Sequence, residues 1–142
     1  MRSMGNRWEA IASGKISVPI NDELGFEIVP TEDPRTGVTF RWKVPPELCN
    51  TAGNLQGGML AAFADSVLGA ACAVFLDESD YPALAEMKIQ IMRPAPAGST
   101  ITGTGRVLKS GKRVIFVEAE VTGEDGKLIA KASGTELPTP AP

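Results

Sequence analysis

The chain has 142 residues, with 14 Lys and Arg against 17 Asp and Glu, for a formal net charge of −3. That length suits one domain that can bury a core without disulfides, and the scattered basic residues leave no electrostatic footprint for nucleic acid. Histidine is absent, which excludes Ser-His-Asp and Cys-His catalysis and His-based zinc sites. Any acid–base chemistry then falls to carboxylates, lysine, tyrosine or backbone dipoles. Cys49 and Cys72 are two unpatterned cysteines, too few for a disulfide scaffold or a cysteine-rich metal site.

In chain order, Trp8, Ile11 and Ala12 sit at helical spacing and predict a short helix over 4–13, stopped by Gly14. Residues 26–29 and 38–44 read as two strands, joined by the turn chemistry of 31–37 and closed by Pro45 and Pro46. A loop over 45–55 leads into a long helix from 57 to about 77. That helix is apolar and rich in small residues, so it is expected to be buried on all sides and wrapped by a sheet. Period-two alternation predicts four further strands over 85–93, 100–108, 113–122 and 127–135, joined by short turns and therefore antiparallel. The domain is taken as 1–137, and the proline-rich tail 138–142 is expected to be disordered. The order fits an α+β fold in which one antiparallel sheet curls around one helix, with open edges that invite a second copy.

From Gly57 to Leu76 the only polar side chains are Asp65 and Ser66. The segment reaches the length of a membrane span, yet a carboxylate lies near its centre and no Lys or Arg flanks it closely. A cytoplasmic protein without a membrane partner is expected. A charge in apolar company is costly unless it is paired, hydrated or put to use, and such a setting raises a carboxyl pKa, which suits a base.

The stretch Asn50-x-x-Gly53-x-x-Gln56-Gly57-Gly58, followed by Asp65, resembles the signature of the hotdog-fold acyl-CoA thioesterases. It is most similar to the branch with the phenylacetate-pathway thioesterases and the mammalian thioesterase superfamily members. Met92-Arg93-Pro94 with Gly98, and Gly126-Lys127-Leu128-Ile129-Ala130, resemble that family's later motifs. The likeness runs from about residue 24 to 136. Two departures stand out. The family's usual His is Gln56 here, which donates and accepts but does not titrate. The neighbourhood Ala83-Leu84-Ala85-Glu86 also lacks the hydroxyl that some members carry.

The resemblance implies a hotdog fold with acyl-CoA as substrate and no separate cofactor or metal. It implies Asp65 as nucleophile or general base and the Gly57 N–H as oxyanion donor, with Asn50, Gln56 and Gly58 binding substrate. Arg93 and Arg113 are candidates for coenzyme A phosphates, against the plainer reading of solvated surface charge. Spacing adds an independent point. Gly57 and Asp65 are eight residues apart, about 12 Å along one helix. Acting on one carbonyl needs both within roughly 3 Å of it. If both are catalytic, Asp65 of one subunit must meet Gly57 of another, so a homodimer is expected; its pairing into a homotetramer is a further expectation, which the spacing does not address. The rival reading is a non-catalytic acyl-CoA binder or sensor on the same fold. A hotdog dehydratase, which relies on a catalytic His, fits poorly.

Overall fold

Two close-packed layers hold the chain together, and glycines set their separation. In the computed structural model, which describes residues 6–142, helix α3 (Gly57–Ala73) lies in the hollow of a six-stranded antiparallel sheet. The strands are β1 (Glu27–Val29), β2 (Val38–Lys43), β3 (Asp80–Ile91), β4 (Thr100–Ser110), β5 (Ile115–Thr122) and β6 (Leu128–Pro140), in spatial order β1-β2-β4-β5-β6-β3. A Cβ on Gly103 would stand 2.8 Å from Phe63 of the helix, and one on Gly105 would stand 2.9 Å from the Val67 carbonyl oxygen. Only glycine lets β4 come this near to α3.

The alternation read from the sequence is the burial pattern. Ile115, Val117, Ala119 and Val121 of β5 face the helix and are buried, while Phe116 and Glu120 between them are exposed. At the N-terminal end of the core, Phe26, Trp42 and Phe63 pack with ring centroids 4.6 to 5.5 Å apart, and the Trp42 indole N–H donates to the Leu24 carbonyl at 2.7 Å.

Helix α1 runs over Arg7–Ala12, with Asn6 and Glu9 forming a reciprocal capping box. The first residues of the expected 4–13 helix lie outside the described residues. A second short helix, α2 (Pro19–Leu24), was not foreseen. Its signals were present, with Pro19 in the first turn and Gly25 at φ +82° closing it.

The expected disordered tail is corrected by the sheet. β6 continues to Pro140, its Pro138 faces Pro82 of β3, and the Ala141 N–H donates to the Ser79 carbonyl at 2.8 Å. The pairing of β5 with β6 ends at Ile115↔Glu136. Beyond that point β6 has a neighbour on one side only, so Pro138 and Pro140 cost no ladder bonds on the other. For the same reason β3, an edge strand, tolerates Pro82 and begins at Asp80 rather than at 85.

Helix α3 is likewise not buried on all sides. Gly58 and Asp65 are exposed, and Ala61, Ala62, Ser66 and Gly69 are half-buried. The sheet covers the rest of the helix and leaves this stripe of small residues open.

Candidate active site

The loop before α3 is held by backbone pairing. Leu55 N–H donates to Ala95, Gln56 N–H to Leu48 and Ala97 N–H to Gly53, all at 2.8 to 3.0 Å. Asn50 closes the turn within it, its Oδ1 accepting from the Ala52 and Asn54 N–H groups at 3.0 and 3.2 Å. Its carboxamide oxygen therefore does structural work, and the residue as a whole is exposed.

Gln56 is the N-cap of α3, but its side chain makes no capping bond. Its carbonyl takes the N–H groups of Met59 and Leu60 at 2.9 and 3.1 Å. The N–H groups of Gly57 and Gly58 precede these in the first turn, where a helix has donors without intrahelical acceptors and its dipole favours negative charge. Space at the two glycines differs. A Cβ on Gly58 would meet nothing within 4 Å, whereas one on Gly57 would stand 3.3 Å from Ile91 Cδ1. Ile91 ends β3, and Arg93 follows it, so Asn50, Gln56, Gly57, Gly58 and Arg93 gather at the N-terminal end of α3.

Asp65 lies two turns further along. It is exposed on the open stripe of the helix rather than buried, and nearby protein raises its carboxyl above the usual range by partial desolvation. Ion pairs among the described residues are Lys15–Glu78, Arg106–Glu118 and Lys131–Glu120, so no cation compensates Asp65. The chain thus separates the two key groups: α3 places Gly57 at its start and Asp65 in its middle. Arg113 is separate again. It is exposed in the turn between β4 and β5, beyond the end of α3 opposite to Gly57.

Two features were missed in the sequence. A cavity of about 240 Å³ lies against the middle of α3, bounded by Ser66, Gly69 and Ala70 of that helix, by Ile11 and Val18 near the N-terminus, and by Tyr81 of β3; Asp65 itself does not line it. It exists because α2 and its approach fold over the helix, and α2 went unread. The second is Glu136, which is 1 % exposed. It is the next inward position after Ala130, Ala132 and Gly134, and it was overlooked because the strand was ended at 135.

Against known proteins, the pattern that defines the thioesterase superfamily matches residues 52–130, and mouse acyl-coenzyme A thioesterase 13 is 34 % identical over 138 residues, covering 96 % of this chain and 97 % of its own. The chain belongs to the thioesterase superfamily. A phenylacetic acid degradation-related protein of Ralstonia eutropha JMP134 superposes with a TM-score of 0.84 at 27 % identity, over 93 % of this chain and 99 % of that one. A Streptococcus pneumoniae protein solved with coenzyme A shares the hotdog fold at a TM-score of 0.70 and 21 % identity, over 81 % of this chain and 89 % of its own. Thioesterases of this superfamily are thioester hydrolases, and the chain is an enzyme of that class. Among the described residues, no helix is long and apolar enough to cross a membrane.

Proposed function

We propose that this thioesterase hydrolyses an acyl-CoA to the free acid and coenzyme A at two composite sites of a homodimer. In each site the thioester carbonyl rests on the Gly57 N–H at the start of one subunit's α3. Asp65 of the other subunit attacks it, or activates the water that does. The observation that carries this reading is the separation of Gly57 and Asp65 on one straight helix, with Asp65 on an open face where a second chain can approach. The first-turn N–H groups and the helix dipole polarise the carbonyl and stabilise the tetrahedral oxyanion. Gln56 and the free amide nitrogen of Asn50 are donors beside it. Neither titrates near neutral pH, so the proton work falls to Asp65.

The partner's route is an open edge. β3 has twelve residues, and one side of it is unpaired within the chain, an arrangement that favours strand-to-strand association. Exposed Phe116 and Leu137 on the outer face of the sheet offer a second contact for pairing into tetramers. Among the basic candidates, Arg93 stands at the Gly57 end and is the better placed to meet coenzyme A phosphates. Arg113 would serve only if the partner brought its turn to that end.

The cavity against Ser66, Gly69 and Ala70 of α3 is the proposed seat of the acyl group. A dry apolar cavity of about 150 Å³ accommodates benzene, so about 240 Å³ suits a single ring or a short aliphatic chain better than a long fatty acyl tail. Thiol release across acyl-CoAs of graded size, with Asp65→Asn as control, tests the proposal. Binding of acyl-CoA without thiol release at any size would favour the sensor reading.

A further inference from the structure

β6 turns Ala130, Ala132, Gly134 and Glu136 toward α3. Three of these are small, as close packing under a helix requires. The fourth is a carboxyl, and among the described residues it is the one polar or charged side chain that is buried. Its Oε2 has no hydrogen-bond partner. Across the sheet it faces Ile115 of β5 and Leu84 of β3, neither of which can donate a bond or carry charge. Glu86, past the irregularity in β3, is exposed. The titratable groups that face Glu136 therefore come from α3.

The geometry identifies them. A Cβ on Gly134 would stand 3.1 Å from Leu68 Cδ1, so this part of β6 lies on the Leu68 side of the helix. Asp65, Leu68, Gly69 and Cys72 share that side, at the three- and four-residue spacing of one helix face. Glu136, one inward position beyond Gly134, points at the same row.

We propose that Glu136 is a positioning residue for Asp65: a second carboxyl, held in the core behind α3, whose charge state sets the basicity of the Asp65 carboxylate. The proposal rests on the reading of Asp65 as catalytic. Burial, and then the charge of Asp65, push Glu136 up to about 7. Burial, and then the charge of Glu136, push the Cys72 thiol up to about 12, so the thiol stays neutral and leaves the two carboxyls as the active pair. Asp65, the less enclosed, gives up its proton first. Glu136 keeps its proton until near neutrality, and its ionisation then puts a second negative charge behind α3 and makes Asp65 a stronger base.

Coupling of this kind is reciprocal, so it is read without turnover. Carboxyl NMR titration of substrate-free wild-type and Asp65→Asn protein is expected to show the Glu136 midpoint moving to lower pH in the variant. An unmoved midpoint overturns the proposal. In thiol release, Glu136→Gln is expected to lose the rise in rate near pH 7 while keeping the limb at lower pH. A profile that superimposes on wild type overturns it as well. If Asp65→Asn still turns over while the Glu136 midpoint moves, the coupling stands and the catalytic reading of Asp65 is what fails.

Discussion

Gly57 and Asp65 share helix α3 yet stand about two turns apart, one at its N-terminus and the other on its open face. A rigid helix fixes that separation, and no rotamer of Asp65 spans it. In the roles proposed for them, the two can act on one carbonyl only if a partner chain supplies a second helix.

Replacing Asp65 with Asn keeps size and polarity and removes the base. Because Asp65 is exposed and makes no ion pair among the described residues, melting temperature and oligomeric state should stay near wild type. Turnover should fall by about 10³-fold or more, a loss of the size seen when a catalytic group is removed. Thiol release under saturating substrate measures it, and undiminished kcat excludes Asp65 from the chemistry.

Gly57→Ala retains the N–H but places a methyl group 3.3 Å from Ile91 Cδ1. Stability should drop modestly, and kcat/KM should fall by about 10²-fold because the carbonyl is held away from its donor. Adding Ile91→Val removes the crowding methyl. The double variant should regain melting temperature but not activity, which separates packing from access to the backbone. Recovery of both would make the glycine a packing residue.

Much of this was legible in one sequence. Period-two alternation marked β4, β5 and most of β6, and the small-residue helix was correctly placed against the sheet. The spacing of Gly57 and Asp65 pointed to a partner chain. What escaped has a common cause: pattern reading tracks one segment, while these features depend on neighbours. Pro138 and Pro140 looked like a tail, but β6 has lost β5 as a neighbour there and still pairs with β3. Asp65 looked buried because its sequence surroundings are apolar, whereas the sheet leaves its face of α3 open. Glu136 looked like the start of that tail, and only the pairing showed it pointing inward.

Glu136 also makes stability depend on pH in a definite direction. Its carboxyl moves from an ordinary 4.5 to about 7 on folding, so between those values the folded state holds the extra proton and stability falls as pH rises. The full loss is about 3 kcal/mol, present above the folded value and absent below the unfolded one. Urea unfolding of wild type and Glu136→Gln at acid and alkaline pH checks this. The variant should be the flatter of the two, and its advantage should appear only on the alkaline side. Parallel curves contradict the assignment.

Ala70 is buried and borders the cavity against the middle of α3. Ala70→Leu adds three carbons there, at a cost in stability of about 1–3 kcal/mol if the wall does not yield. Activity on acyl-CoAs with a ring or a medium chain should drop about 10-fold or more, while acetyl-CoA should be spared. Equal losses for all acyl groups would place the acyl group elsewhere.

The composite site has its most direct test in mixed dimers. Asp65→Asn and Gly57→Val chains are each inactive as homodimers under this account. Unfolded together in equal amounts and refolded, they form heterodimers in which one site carries both defects and the other carries neither. Each heterodimer is then half active, and the mixture should recover about a quarter of wild-type thiol release. If each site lies within one chain, every site keeps one defect, and the refolded mixture will stay as inactive as its parents.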